Sequence, residues 1–158
     1  MKQKIHGWNL AISIVLAELV GALSSLLSGN SNREYQALRQ PPLSPPGWVF
    51  PVVWVILYAL MGIAAYLIYQ SDAEPGEKKR ALWFYAAQLF VNFLWSIVFF
   101  RFQAYWLSVI VILILDILVI VTMVLFARIR KSAMYLLIPY LAWLLFATYL
   151  DIGFAVLN

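Results

Sequence analysis

The chain has 158 residues, of which 65% are hydrophobic and only 11% are charged, whereas a soluble domain carries about 25% charged residues. This composition excludes an ordinary soluble domain, and the absence of cysteine excludes disulfides, thiolate metal sites and haem attached through cysteine. The single histidine, His6, precedes the first apolar segment, and we expect it at the membrane surface and not in a metal site. We attribute the net charge of +4 to basic loops that set membrane topology, so no nucleic-acid partner is expected.

Five apolar segments are long enough to cross a bilayer, because a spanning helix needs about 20 apolar residues. They cover residues 8–28, 48–70, 82–101, 105–127 and 133–157. The first is not expected to be a cleaved signal peptide, because it has no clear small-residue cleavage site and four further spans follow it. The pattern predicts an all-α integral membrane protein, a bundle of five transmembrane helices that forms a single domain over residues 1–158.

The first span repeats small residues at every fourth position: Ser13, Ala17, Gly21, Ser25 and Gly29. Such a stripe lets two helix backbones approach closely in lipid. The sequence leaves open whether the stripe packs within one protomer or across a dimer. Glu18 lies beside it, and an ionisable group at this depth is expected to be paired or to face a cavity.

The connection over residues 29–47 is the longest, and it contains four prolines: Pro41, Pro42, Pro45 and Pro46. Because proline fixes φ and lacks an N–H, residues 40–47 are expected to follow an extended polyproline II path. Gly47 ends that path, and Pro51 fits the first turn of the next helix, where a missing N–H costs little. We expect this stiff loop to cover a binding site. The next connection, residues 71–80, is expected to be a solvated loop.

Lysine and arginine are distributed unevenly between the two sets of connections. One side carries eight of them: Lys2, Lys4, Lys78, Lys79, Arg80, Arg128, Arg130 and Lys131. The other side carries three: Arg33, Arg39 and Arg101. Because cytoplasmic loops carry the excess of basic residues, we predict a multi-pass protein with its N-terminus in the cytoplasm and its C-terminus outside.

Helical spacing gathers polar and aromatic residues of spans two to five on a few faces: Trp54 and Tyr58; Gln88, Asn92, Trp95 and Phe99; Asp116; and Tyr140, Trp143, Ala147 and Asp151. Amides and carboxylates that face lipid lack hydrogen-bond partners, so these faces should point into the bundle. Ala147 leaves room between larger side chains. Pro139 frees the carbonyl of Tyr135, and we expect it to bend the last helix.

Two interpretations of these inward faces remain open. The polar groups could only hold helices together, through hydrogen bonds worth about 0.6 kcal/mol each on average. Alternatively, apolar walls with a few convergent polar groups form a small-molecule pocket, and tryptophan faces suit a flat, conjugated guest. The number of amides, acids and deep tryptophans favours the pocket. We also expect Asp116 or Asp151 to accept a hydrogen bond from a tryptophan or an amide, because a bare carboxylate is costly there.

The chain carries four distinctive motifs: Tyr35-x-x-Leu38; PPGWVFP over residues 45–51, followed by Trp54; Gln88-x-x-x-Asn92-x-x-Trp95; and Ile138-Pro139-Tyr140-x-x-Trp143-x-x-x-Ala147. Together they resemble the TspO/MBR family of tryptophan-rich sensory proteins and translocator proteins, and the likeness covers all five spans in order. The resemblance implies a five-helix bundle, usually a homodimer, with a pocket closed by the first loop. It also implies porphyrins such as protoporphyrin IX, cholesterol in animal members, and isoquinoline or benzodiazepine drugs as family ligands.

By that resemblance, the pocket positions are Tyr35, Trp54, Gln88, Asn92, Asp116, Trp143 and Ala147. Pro45, Tyr58, Trp95, Tyr140 and Asp151 complete the candidate ligand-binding set, which includes no metal ligand. Asp151 is a departure, because the family commonly has asparagine there, and an acid could change the choice of ligand. No basic residue follows Tyr149, so the cholesterol motif proposed for animal members is incomplete.

The function predicted from these features is a membrane receptor or sensor that binds porphyrins and related hydrophobic ligands, including isoquinoline- or benzodiazepine-type molecules, in an aromatic cavity. Two alternatives stay open: light-dependent porphyrin breakdown, with Trp54 and Trp143 as redox partners, and transport of porphyrin or another small molecule. The sequence offers no nucleophile–base pair, metal site or nucleotide loop, so conventional catalysis is not favoured. No cofactor is expected, since the porphyrin is a ligand; the bilayer and a second copy are the expected partners.

Overall fold

The computed structural model describes residues 6–29 and 31–158. Its elements in chain order are α1 (Gly7–Leu27), α2 (Ser31–Ala37), α3 (Val49–Tyr69), α4 (Pro75–Ser96), a π-helix (Ile97–Arg101), α5 (Tyr105–Ile129) and α6 (Lys131–Leu157). Five helices are long and apolar enough to cross a membrane: α1, α3, α4 with its π-helix, α5 and α6. No strand occurs in these two ranges. The prediction of an all-α membrane bundle is confirmed.

Four of the five spans begin and end within two residues of their predicted bounds, but α4 begins at Pro75, seven residues before the predicted start at residue 82. The prediction of a loop over residues 71–80 is therefore wrong in its second half. Proline is favoured in the first turn of a helix, and Glu77 in that turn complements the helix dipole. These local signals extend the helix beyond its apolar part.

The proline loop differs from the prediction in two ways. It contains the short helix α2, and its residues 40–47 do not follow one extended path. The Ser44 N–H donates to the Pro41 carbonyl at 3.3 Å, the Ser44 hydroxyl donates to the same carbonyl at 2.7 Å, and Leu43 has a φ of +70°. Leu43 and Ser44 separate the two proline pairs. Because neither residue has a ring that fixes φ, the chain can turn between the pairs.

The loop is fixed to the C-terminal end of α6. The Tyr149 hydroxyl donates to the Pro42 carbonyl at 2.6 Å. The Asn158 side chain accepts from the Arg39 N–H at 3.1 Å and donates to the Arg39 carbonyl at 3.0 Å. Gly153 lies so close to Pro41 that a Cβ there would be 2.6 Å from the proline ring.

The first part of the small-residue stripe, Ser13 to Gly21, packs within the protomer, whereas Ser25 and Gly29 are exposed, so a role of the stripe in a dimer stays a prediction. A Cβ on Gly62 of α3 would lie 2.6 Å from the Ile14 Cα of α1, and the Ser13 hydroxyl donates to the Gly62 carbonyl at 2.7 Å. Further along, Gly21 leaves room for the ring of Tyr58. Small residues thus bring α1 and α3 into backbone contact, as expected for helices in lipid.

We predict that Gly62→Ala destabilises the protein by about 1–3 kcal/mol, because the new methyl group meets α1 backbone that cannot move aside. Unfolding in detergent micelles, followed by circular dichroism, measures the loss. Gly76→Ala is the matched control, since nothing lies within 4 Å of a Cβ at that position. Equal stability of the two variants would contradict close α1–α3 packing.

Candidate functional site

A stack of aromatic rings lies directly beneath the proline loop. Tyr35 of α2 is buried, and only 3% of its surface is exposed. Its ring packs edge-on against Phe50 at 4.9 Å between centroids and against Phe154 at 5.6 Å. Phe50 in turn contacts Trp143 at 5.7 Å. Edge-to-face pairs are worth about 0.5–1.5 kcal/mol each, so the loop helix, α3 and α6 are joined by their rings.

Tyr35 also holds the loop by hydrogen bonds. Its hydroxyl donates to the Pro45 carbonyl at 2.5 Å, and its own carbonyl accepts from the Gln40 side chain at 3.2 Å. Burial raises the pKa of the Tyr35 phenol above its ordinary value, so the hydroxyl stays protonated and remains a donor at neutral pH. The Tyr35–Pro45 bond therefore acts as a latch across the loop.

Trp54 and Tyr58 lie on one face of α3, as their spacing predicts, with ring centroids 5.8 Å apart. The Trp54 ring also meets Tyr140 of α6 edge-on at 6.3 Å. The Trp54 side chain is partly buried, whereas Tyr58 and Tyr140 are buried. Trp54 therefore lies one turn deeper along α3 than Phe50, between the aromatic stack and a layer of polar groups.

The polar layer consists of Tyr58, Gln88, Asn92 and Tyr140. The Tyr58 hydroxyl donates to Asn92 Oδ1 at 3.1 Å, and Asn92 Nδ2 donates to the Tyr140 hydroxyl oxygen at 2.8 Å. The Tyr140 hydroxyl then donates to Gln88 Oε1 at 2.6 Å. This chain joins α3, α4 and α6, and it confirms that both amides of α4 face the interior.

A second polar group forms around Asp151. Trp95 Nε1 donates to Asp151 Oδ2 at 2.9 Å, which confirms that a buried acid accepts from a tryptophan. Asp151 Oδ1 lies 2.7 Å from the Ser108 hydroxyl, and that hydroxyl is also 2.6 Å from the Tyr105 carbonyl oxygen. One carboxylate oxygen thus contacts α4 and the other contacts α5, so Asp151 of α6 braces three helices.

Asp116 lies deeper in the same interface between α5 and α6. Its Oδ2 accepts from the Thr148 hydroxyl at 2.7 Å, while its Oδ1 is buried and has no hydrogen-bond partner in the part of the chain that the structure describes. The indole N–H of Trp143 is likewise buried and has no hydrogen-bond partner among the described residues. Unpaired polar atoms are costly in an apolar interior, so these two atoms are places in the bundle where the cost of burial is not offset by a hydrogen bond.

The predicted site residues fall into groups with different surroundings. The wall residues under the loop are Tyr35, Pro45, Trp54, Trp143 and Ala147, the last being 4% exposed. The polar layer holds Tyr58, Gln88, Asn92 and Tyr140; Trp95 and Asp151 form the brace, and Asp116 pairs with Thr148. Glu18 lies on α1, and the structure gives its carboxylate no hydrogen bond or ion pair with any residue that it describes, so the expected partner is not found among them.

Sequence reasoning missed several residues of this region. Phe154 contacts both Tyr35 and Phe99, and it is three residues beyond Asp151 on the same face of α6, so helical spacing could have found it. Ser108 is eight residues before Asp116 and shares its face of α5. Thr148 carries no comparable signal, because a threonine in a span usually bonds its own helix backbone.

Two surface grooves lie on the loop side of the molecule. One, of about 320 Å³, runs between Pro41, Pro42 and the outer end of α6 and is almost entirely apolar. The other, of about 430 Å³, is bounded by Tyr35, Gln36, Gln40, Ser44, Pro45 and Trp48. We call the second one the loop-side groove. It lies directly above the latch.

Comparison with known proteins agrees with this architecture. The model of the TspO/MBR family matches residues 12–157. The chain belongs to the TspO/MBR family. It is 36% identical over 151 residues to the tryptophan-rich protein TspO of Chlorobaculum tepidum, covering 95% of this chain and 96% of that protein. It is also 33% identical over 147 residues to the human translocator protein, covering 91% and 87% respectively.

A tryptophan-rich sensory protein from Cereibacter sphaeroides is 38% identical over 117 residues, which are 74% of this chain and 72% of that protein. The family resemblance read from the motifs is therefore confirmed. TspO/MBR membership and the five apolar helices together establish a multi-pass membrane protein.

We predict that Asp151→Leu destabilises this TspO/MBR protein by about 1–3 kcal/mol, because it leaves the Trp95 N–H buried without an acceptor. Asp151→Asn should be nearly neutral, since its oxygen can accept from Trp95 while its amide donates to Ser108. Unfolding in micelles measures both variants, and Asp72→Leu, at an exposed loop position, is the control. Equal losses for leucine and asparagine would contradict the brace.

Proposed function

We propose that the chain is a membrane receptor that binds a porphyrin, or a similar flat and conjugated molecule, between α3 and α6 beneath the proline loop. The observation that carries this proposal is the indole N–H of the partly buried Trp143, which is itself buried and has no partner among the described residues, although the ring contacts Phe50 in an aromatic wall. An indole N–H usually finds a partner when buried. A ligand that lies against this wall can supply the missing acceptor.

The division between satisfied and unsatisfied groups supports the same proposal. The polar layer is hydrogen-bonded internally and serves as the floor of the site. The brace around Asp151 is likewise closed, so we assign this acid a role in positioning helices. The side chains of Tyr35, Trp54 and Trp143 make ring contacts, and Tyr35 also makes the latch; these are the contacts that a ligand can replace.

The names of the relatives are consistent with this reading. One is called a tryptophan-rich sensory protein and another a translocator protein, and a ligand-binding role would suit either name. Protoporphyrin IX, the isoquinoline- and benzodiazepine-type ligands, and the homodimer all stay predictions for this chain. The light-dependent breakdown of porphyrin and its transport also stay predictions.

Titration with protoporphyrin IX in the dark tests the proposal. We expect saturable quenching of tryptophan fluorescence, and roughly tenfold weaker binding for Trp143→Ala, since an aromatic contact and its buried area are worth about 1–2 kcal/mol. Trp83→Ala, at a position that is 63% exposed, is the control and should bind as the parent does. No saturation, or equal losses in both variants, would remove the proposed site. Illumination of the same samples tells whether the porphyrin is also broken down.

We further propose that the proline loop lies outside the cell and the 70–74 connection in the cytoplasm, because basic residues are more numerous on the second side. Lys2 and Lys4, which contribute to this count, lie outside the described residues. Arg33, Arg39 and Arg101 are exposed on the loop side.

Single cysteines can test the orientation, because the chain has none of its own. Leu43 is 83% exposed at the tip of the loop, and Asp72 is exposed on the opposite side. With an impermeant maleimide on intact cells, we expect Leu43→Cys to be labelled at once and Asp72→Cys only after permeabilisation. The reverse pattern would overturn the assignment.

A further inference from the structure

The turn between α5 and α6 gathers positive charge at one end of the bundle. Arg130 is the single residue between the two helices. Arg128, Arg130 and Lys131 are all exposed, and the structure gives none of them an ion pair with a residue that it describes. Arg130 Nε donates to the neutral Ser132 hydroxyl at 3.1 Å. We call residues 128–131 the basic turn.

The charge of the basic turn is not balanced along the chain, because no acid lies within ten residues of it. The connection over residues 71–80 lies at the same end of the bundle, since successive spans alternate in direction, but it holds three acids and three basic residues. The acids nearest to the basic turn in sequence are Asp116 and Asp151, and both are buried inside the bundle. The positive potential of the turn therefore favours an anionic partner.

Both ends of the basic turn continue the lipid-facing sides of their helices. On α5, the exposed side chains of Ile120 and Val124 share one face, and Arg128 follows Val124 by one helical turn. On α6, Lys131 precedes the exposed ring of Tyr135 by one turn. Exposed apolar side chains of a spanning helix meet lipid, so two of the cations lie directly above surfaces that acyl chains cover.

The lengths of the two helices place these cations at the level of the lipid headgroups. α5 has 25 residues and α6 has 27, which at about 1.5 Å per residue correspond to roughly 37 and 40 Å. The hydrocarbon core of a bilayer is only about 30 Å thick, so the helices extend beyond it. Tyr135 lies one turn below Lys131, where an amphipathic ring suits the boundary between headgroups and chains.

We propose that the basic turn binds the phosphate of an anionic phospholipid, whose acyl chains lie along the exposed faces of α5 and α6. The cations attract the phosphate, and an arginine can donate two parallel hydrogen bonds to it. A zwitterionic lipid such as phosphatidylcholine offers the same phosphate but adds a quaternary ammonium, which the same cations repel. The turn therefore prefers phosphatidylglycerol to phosphatidylcholine, on whichever side of the membrane it lies. This inference is independent of the proposed ligand site.

Native mass spectrometry of the protein in a non-ionic detergent tests this preference. Delipidated protein is titrated with phosphatidylglycerol or with phosphatidylcholine of the same acyl chains, and the fraction with one bound lipid is measured. We expect the parent to bind phosphatidylglycerol about 5- to 25-fold more tightly, as for one or two basic residues that act on a headgroup. Arg128→Gln/Lys131→Gln should reduce this preference to about twofold or less and leave phosphatidylcholine binding unchanged.

Two control variants separate the basic turn from the total charge. Arg33→Gln/Arg39→Gln removes the same number of charges at the opposite end, where both side chains are exposed, and should keep the preference. Arg128→Lys/Lys131→Arg keeps the charges of the turn and should keep the preference as well. If the two glutamine pairs lower it equally, total charge explains the preference and the proposal is overturned.

The remaining outcomes decide whether a lipid is the partner. A parent that does not distinguish the two lipids overturns the proposal. Equal losses of both lipids in Arg128→Gln/Lys131→Gln would assign the turn a structural role and also overturn it. Soluble glycerol phosphate at the same concentration as the lipid should displace no phosphatidylglycerol, because it lacks the acyl chains. Full displacement would identify a site for free phosphate in place of a lipid site.

Discussion

The hydrogen bonds of Asn92 determine how the helices of this bundle meet. No water is available in the hydrocarbon core, so an amide without a protein partner costs several kcal/mol there. Asn92 accepts from Tyr58 and donates to Tyr140, and it therefore fixes the depth and rotation of α3 and α6 against α4. The position of α1 is then set by α3, because Gly21 and Gly62 allow the two helices to pack closely. The position of α5 is set in turn by the hydrogen bond between Ser108 and Asp151 of α6.

This arrangement separates the hydrogen-bonded networks, which are rigid, from the ring contacts, which a ligand could replace. Buried polar networks that are fully satisfied specify one geometry, and those of Asn92 and Asp151 lie below and beside the aromatic wall. Tyr35, Phe50 and Trp143 are held to each other by ring contacts, which a conjugated guest can reproduce. The binding site that we propose needs both properties, because a pocket that collapses as its walls move would lose the shape that it recognises.

Much of the fold could be predicted from the sequence, since hydropathy locates the spans and a period of 3.6 residues identifies their inward faces. The resemblance supplied the ligand-binding role that we propose for Trp143 and Ala147, which periodicity alone does not distinguish from core residues. The start of α4 at Pro75 and the turn at Leu43 were missed because they depend on local backbone preferences that hydropathy ignores. The hydrogen-bond partner of each acid could not be predicted from the sequence either, because it depends on the distances between helices. Trp95 was one of several donors at a suitable depth, and Thr148 was not foreseen.

The attachments of the proline loop have a mechanical consequence. Arg39, Pro41 and Pro42 are all joined to α6, whereas beyond Leu43 the latch to Tyr35 holds the segment. Because Arg39, Pro41 and Pro42 stay attached to α6, an opening of the loop would move residues 44–48 away from α6, with the turn at Leu43 as the hinge. Such a movement breaks the Tyr35–Pro45 hydrogen bond and strains the two bonds from Ser44 to the Pro41 carbonyl, and the helices on either side need not separate.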